Sequence, residues 1–393
     1  MYLVMLIIYV SNVISIEMTI LTKSHDVEDL CKKLQDEKFI CVDTEFIREK
    51  YYYPKLCLIQ IGDSKGNGWA IDPLADNINL NPIFDLFLNK KILKVLHSPR
   101  QDFEIFFNIL KTIPKPIFDT QSAAMTCGYG DSASYESLVN KIVKIKLDKS
   151  VRFTNWENRP LNKKQINYAI SDVTHLSKIY LYLKANMEKN KRTNWIKEEL
   201  NKFNDLNLYK INSNNAWKRI KFYSSNIETM SIFKEIAKLR EEIAKKYNLP
   251  RNKIFRDDIV IKLSKNPPIN IKNFDNLRGI NIKNIDNSYK NLILKSIKVG
   301  KNNKDKKSIN NNANTPSKAI TDILKIILQS CAEKHNISPL LIANKEDIKQ
   351  IALGEKDVKS LKGWRHKIFG SAALELMEGK LSLKIKNGAV IID

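Results

Sequence analysis

The chain has 393 residues, 43% of them hydrophobic and 28% charged, which suits a soluble protein of two or three domains with cores of their own. Its formal net charge of +23 is unevenly placed: residues 1–180 carry 23 basic and 21 acidic side chains, residues 181–393 carry 43 and 22. The five scattered cysteines form no C-x-x-C pair, the five histidines no H-E-x-x-H, and no G-x-x-x-x-G-K-[ST] occurs, which argues against a disulfide framework, a zinc cluster and P-loop hydrolysis.

A near-neutral first part joined to a basic second part fits a polyanionic partner, most simply nucleic acid. Lys, Asn and Ile are abundant throughout, so the asymmetry carries more weight than the total. The unpaired cysteines fit a reducing cytoplasm.

Residues 1–17 are apolar, too short to span a bilayer comfortably and without the basic start of a signal peptide. They read as an extension ahead of a domain start at Met18, more simply an upstream start codon than a signal. From there the pattern predicts a strand over 18–22, a helix over 27–36 and a buried strand over 39–43. Asp43 and Glu45 follow, two residues apart, and in a strand such positions share a face. They are either a solvated acidic turn or a pair held by a divalent cation, since like charges side by side repel.

Strands over 56–62 and 68–72 come next, joined by a hairpin-like turn, then a helix over 83–88 and a strand over 91–97. Ser98-Pro99-Arg100-Gln101 reads as a helix start, with Ser98 as N-cap, Pro99 at the first helical position and Gln101 reaching back. Asp102 falls in the first turns of that helix, where the helix dipole alone would account for an acid. After a short strand over 117–120 the chain turns helical, through 135–143 and 162–182. Tyr168 and Asp172, at i and i+4, share one face of the last helix. The expected core is α/β, a mixed sheet with flanking helices.

Beyond about residue 200 the texture is that of basic amphipathic helices, and two stretches repeat. Residues 244–250 (AKKYNLP) match 332–338 (AEKHNIS), Asp258-Ile259 matches Asp347-Ile348, and Leu277-Arg278-Gly279 matches Leu361-Lys362-Gly363. Two small helical domains of related fold are expected. Between them, 301–318 is Asn- and Lys-rich and reads as a flexible linker.

Asp43-Thr44-Glu45, then Asp102 within His97-Ser98-Pro99-Arg100-Gln101-Asp102-Phe103, then Tyr168 through Asp172 stand in the order and spacing of three motifs. On these the sequence resembles the DEDD family of 3′→5′ exonucleases, and within it ribonuclease D. Residues 52–60 and 152–156 share that likeness, and the repeated units resemble the HRDC domain, present twice. The resemblance spans roughly 18–383. It implies an RNase H-like sheet over 18–200, a first HRDC domain over 210–297, a linker over 298–317 and a second HRDC-like domain over 318–393.

It further implies a 3′→5′ exoribonuclease trimming structured RNA such as tRNA precursors and releasing nucleoside 5′-monophosphates. Asp43, Glu45, Asp102 and Asp172 would hold divalent metal ions, Mg²⁺ or Mn²⁺ and two in number, and Tyr168 would orient the attacking water. Asn167 stands where the family's His variant has its histidine, so the Tyr branch is implied. His97 reads equally as a substrate contact or a strand-end structural residue, and His175 as packing or surface. Trp156 and Phe153 read as core or lid packing before base stacking, and Arg100 as a possible phosphate contact. The rivals are a DNA 3′→5′ exonuclease and a non-catalytic RNA-binding protein on the same scaffold.

Overall fold

The computed structural model describes residues 20–148, 150–152, 154–274, 287–303 and 315–392. The expected extension over 1–17 lies outside them, as do Phe153 and Leu277-Arg278-Gly279. Six strands, β1 (Ile20–Leu21), β2 (Phe39–Ile47), β3 (Lys55–Gly62), β4 (Gly68–Ile71), β5 (Leu93–Leu96) and β6 (Ile117–Asp119), form one mixed sheet in the order β1-β4-β3-β2-β5-β6. The pairs β2–β3 and β3–β4 are antiparallel; β1–β4, β2–β5 and β5–β6 are parallel.

Central β2 is buried on both faces, which is why its first half is a continuous apolar run. Ile40 and Val42 enter one core layer with Leu30, Phe87 and Phe106. Phe39 and Cys41 enter the other with Ala123, Leu176 and Leu183. The strand does not end at Asp43 as expected. It continues to Ile47 because β3 supplies an antiparallel partner, pairing Asp43 with Gln60 and Glu45 with Leu58 before a bulge between Glu45 and Phe46. Both acids therefore stand inside the ladder, and the solvated-turn alternative is excluded.

Helix α1 (Ser24–Leu34) begins three residues earlier than expected, and α2 (Asn81–Leu88) two. Helix α3 (Arg100–Leu110) corrects the expected cap: Ser98 takes φ +56°, Pro99 is the N-cap residue, and neither caps with a side chain. The Ser98 N–H instead donates to Asp119 Oδ1 at 2.8 Å. That carboxylate also caps α4 (Thr120–Thr126), accepting from the N–H groups of Gln121 and Ser122. One side chain thus fixes two turns at adjacent strand ends.

After α5 (Tyr135–Leu138), which continues as a π-turn through Val143, the predicted long helix is two. Helix α6 (Lys163–Thr174) starts at an Asn162–Gln165 capping box, and α7 (Leu176–Lys189) follows a bend at His175. At the bend Ser177 Oγ donates to the Thr174 carbonyl, drawing an acceptor out of the helical ladder. Gly62 and Gly68 let α6 lie directly on β3 and β4, since a Cβ there would come within 2.9 Å of the Val173 carbonyl and 2.7 Å of Thr174 Cγ2. Helix α8 (Thr193–Asn201) ends the segment, yet the sheet's core takes residues from beyond it. Phe203 and Tyr209 meet Phe103 edge-on at 5.5 and 6.3 Å.

The helical part holds two further apolar clusters. In the first, α9 (Ile227–Tyr247) ends at Asn248 with φ +51°, and α10 (Arg251–Ile254), α11 (Asp257–Lys265) and α12 (Asn287–Asn302) follow. In the second, α13 (Lys318–His335) ends at Asn336 with φ +46°, and α14 (Pro339–Ile342) and α15 (Lys345–Ala352) follow.

The repeated words are therefore the same device: a left-handed Asn after the helix, whose next residue bonds back five positions. The Leu249 N–H reaches the Ala244 carbonyl at 3.0 Å, and the Ile337 N–H reaches that of Ala332 at 3.1 Å. Of the expected linker, 298–302 belong to α12, and 304–314 lie outside the described residues. No helix of the described residues is long and apolar enough to cross a membrane.

Candidate active site

Asp43 and Glu45 leave β2 on the face that α6 covers, and α6 brings Asp172 over them with Tyr168 one turn earlier. Ligand oxygens of Asp43, Glu45 and Asp172 lie within 4.8 Å of one another. Asp102 does not join that cluster as closely. Its buried carboxylate, from the first turn of α3, accepts a hydrogen bond from Thr44 Oγ1, on the opposite face of β2 from the two flanking acids. The sequence thus brings three acids to one point and a fourth against the strand between them.

Each carboxyl is costly to ionise there. Burial pushes Asp43 well above the usual range, and the charges of Asp102, Asp172 and Glu45 add to it. Burial does the same to Glu45, with Asp172 and Asp102 behind it, while Arg152 pulls the other way. Asp102 is pushed up to about 6 by burial, partly offset by the Thr44 hydroxyl. Asp172 is pushed up to about 7 by burial, against a hydrogen bond from Tyr168 and the charge of Arg152. Tyr168 is raised by burial and then by Asp172, Glu45 and Asp43, so its phenol stays protonated at neutral pH.

A divalent cation fits this donor set: it prefers hard oxygen ligands and would offset the burial and the mutual repulsion that raise these carboxyls. The recess above them has a cavity of about 140 Å³, lined by Asp43, Tyr168 and Asp172 and also by His97, Tyr135 and Arg152. Arg152 opens the 152–156 stretch that shares the family likeness, though the sequence assigns it no role, and Tyr135 is not among the expected site residues because no local spacing ties it to the acids. The Tyr135 hydroxyl donates to the Ser171 carbonyl at 2.8 Å, and its ring lies 5.8 Å from that of His97.

His97 lines the recess and also holds the fold, with Nδ1 3.0 Å from Thr120 Oγ1, and burial lowers its pKa. His175 sits at the α6–α7 bend and does not itself line the recess, though its neighbour Leu176 does. Trp156 is buried, its ring 6.1 Å from Tyr168, in keeping with packing. Gln60, opposite Asp43 across the ladder, is fully buried, and neither its amide oxygen nor its nitrogen has a protein partner. Arg100 is exposed at the start of α3.

Residues 18–188 match a family model described as 3′-5′ exonuclease, and residues 230–297 match that of the HRDC domain. A ribonuclease D of Bartonella henselae is 38% identical over 381 residues, covering 95% of this chain and 93% of that one. One of a Jannaschia species is 36% identical, covering 95% and 98%. Among solved structures, Escherichia coli RNase D, described as an exoribonuclease involved in structured RNA processing, matches with a TM-score of 0.75. The match covers 92% of this chain and 98% of that one at 24% identity, a likeness of fold. The chain belongs to the ribonuclease D family of metal-dependent 3′→5′ exoribonucleases.

Proposed function

We propose that the chain trims the 3′ ends of structured RNA, tRNA precursors among them, by hydrolysis to nucleoside 5′-monophosphates in the cytoplasm. Asp43, Glu45, Asp102 and Asp172 would hold two divalent ions, Mg²⁺ or Mn²⁺. The observation that carries this reading is the convergence of three carboxylates within 4.8 Å beside a protonated phenol, in a recess open to solvent. Two ions bound there supply Lewis acidity and charge neutralisation for an in-line displacement at phosphorus.

The chain's own residues do the rest. Tyr168 keeps its proton, donating a hydrogen bond to Asp172, and cannot serve as a base near neutral pH, so it orients the attacking water. Thr44 holds the Asp102 carboxylate at a fixed angle. Arg152, which lines the recess and acts on Glu45 and Asp172, sets a positive charge where a phosphate would sit. The helical part, carrying most of the +23, grips the RNA backbone. The five free cysteines support a reducing compartment.

The deciding experiment incubates the purified protein with 3′-labelled RNA and DNA of one sequence in Mg²⁺, Mn²⁺ or EDTA. Release of labelled 5′-monophosphate from RNA, lost in EDTA, is expected. Asp43→Asn should abolish it with RNA binding retained, and Tyr168→Phe should slow it by a factor on the order of 10²–10⁴. Preferential cutting of DNA would select the repair-type exonuclease, and binding without cutting in any metal would select the non-catalytic scaffold.

A further inference from the structure

A larger cleft lies where the catalytic domain meets the first helical module, with a volume of about 790 Å³. That falls in the range of about 300–1,000 Å³ typical of ligand sites. Its walls are the 51–55 turn, the end of α3, residues 209–211 and the α9 cap at Asn248.

Two kinds of side chain line it. Tyr51, Tyr53 and Phe107 present half-buried rings, and Lys111, Lys210 and Lys245 present ammonium groups. No acidic side chain is among the described residues lining it. Lys245 is already committed to the Ile211 carbonyl and Ser213, whereas Lys210 is exposed, and Lys111 is exposed with one bond to the Asn108 carbonyl at 2.8 Å. Asn108 lines the same cleft, its amide nitrogen buried and without a protein acceptor.

Rings interleaved with cations, without acids, are the chemistry of single-stranded nucleic acid: bases stack and phosphates are neutralised. The cleft is tied to the acidic recess by a short chain of contacts. The Tyr51 hydroxyl donates to Glu157 at 2.6 Å, and Glu157 follows Trp156, whose ring packs 6.1 Å from Tyr168. Lys50 and Lys55 close on the same Glu157, at 3.1 and 2.7 Å, which neutralises the one carboxylate along that path.

We propose that this cleft seats unpaired nucleotides of the RNA strand upstream of the end being removed. The proposal rests on the RNA reading above and adds a second, non-catalytic subsite to it. Such a subsite lowers KM for strands long enough to reach it and leaves the chemistry untouched.

The test uses the full chain with Lys111→Glu and Lys210→Glu combined, and Lys111→Gln with Lys210→Gln as the milder pair. Both lysines are exposed, and circular dichroism checks that the fold is kept. For an unstructured 20-mer RNA, KM should rise about tenfold with kcat unchanged, and the salt slope of binding should fall by roughly 1.4, about 0.7 per lost phosphate contact. Hydrolysis of a dinucleotide, too short to reach the cleft, should be unaffected.

RNA carrying internal 4-thiouridine should cross-link in EDTA to peptides containing Tyr51, Tyr53 or Phe107. An unchanged 20-mer KM and salt slope, or cross-links confined elsewhere, would overturn the proposal. So would loss of dinucleotide hydrolysis, which would put these lysines at the reacting end. If the wild-type chain cuts only DNA, the RNA reading fails, and the same comparison on a DNA 20-mer decides the cleft.

Discussion

The two helical modules carry the same cap and dock it differently. In the first, the cap meets the turn after β2: the Tyr52 N–H donates to the Asn248 carbonyl at 3.2 Å, and the Tyr53 N–H to Asn248 Oδ1 at 2.9 Å. The buried charge at that contact is an anion, Glu241 of α9. Tyr52 donates to it from the catalytic domain, and Arg251 bonds it twice, at 2.5 and 2.6 Å.

In the second module the cap meets α4 and α8. Arg192 donates to the carbonyls of Thr126 and His335, each at 2.6 Å, and the Ser338 N–H donates to that of Met125 at 3.0 Å. The buried charge there is a cation, Arg365, 0% exposed. It pairs with Glu198 and Glu199 of α8, beside stacked Trp195 and Trp364. The module contributes the anion in one contact and the cation in the other. The first module carries the counter-charge of its anion with it, Arg251, whereas the cation of the second finds its counter-charge only on α8, so a second module placed at the first station would bury a charge without a partner.

The largest expected effect comes from removing the buried cation. Arg365→Ala leaves Glu199, 8% exposed, with only the exposed Lys359 at 2.8 Å as a counter-charge, and empties the site beside Trp364. Breaking a buried pair from one side costs about 3–5 kcal/mol. Urea unfolding of the second module, followed through Trp195 and Trp364 fluorescence, measures it. A loss below about 1 kcal/mol would show that the pair is effectively solvated and that the Trp stack holds the contact.

Removing the buried anion should cost less, because Arg251 is 30% exposed and can turn to water. Glu241→Gln should lose about 1.5–3 kcal/mol, the usual worth of hydrogen bonds to a charged group. The same carboxyl gives a pH signature. Burial pushes its pKa up, but hydrogen bonds from Arg251 and Tyr52 outweigh that and hold it below its ordinary value. A depressed carboxyl contributes stability above the unfolded pKa, about 4.3, and loses it as pH falls through the folded value. The first module should therefore loosen below about pH 4, and Glu241→Gln should flatten that dependence. Equal acid sensitivity in both proteins would sink the assignment.

These contacts were the part that sequence could not supply. Strand and helix periodicity put Asp43 beside Glu45 and Tyr168 beside Asp172, because such faces are set by local geometry. The matching words at Asn248 and Asn336 marked the repeat for the same reason. Which faces meet is non-local: Tyr52 and Glu241 are 189 positions apart, and Tyr135 enters the acidic recess only because α5 folds back over α6. Ser98 does not cap α3 on the same ground: Asp119, at the end of another strand, holds its N–H, and Ser98 takes φ +56°. The sequence predicts β2 only as far as Asp43 because β3, which extends it, lies beyond the turn.

The smallest effect separates the caps themselves. Both asparagines hold the left-handed conformation that Gly adopts most readily, so Asn→Gly keeps each backbone turn and removes only the side chain. Asn248→Gly deletes the acceptor of the Tyr53 N–H and should cost about 1 kcal/mol, the net worth of one hydrogen bond. The Asn336 side chain instead sits over Gly128, where a Cβ added to that glycine would come within 2.4 Å of Asn336 Oδ1. Its docking bond to Arg192, at 3.4 Å, runs through the main-chain carbonyl, which glycine retains. Asn336→Gly should then change stability by only a few tenths of a kcal/mol, as expected when no partner is lost. The comparison also predicts an inverse: Gly128→Ala, at φ +80°, should disturb the second contact by pushing Asn336 away, and Asn336→Gly should partly relieve it. Parallel urea titrations of the four proteins decide this. Equal losses for the two Asn→Gly variants would mean that the caps dock by backbone alone and that their side chains do not distinguish the stations.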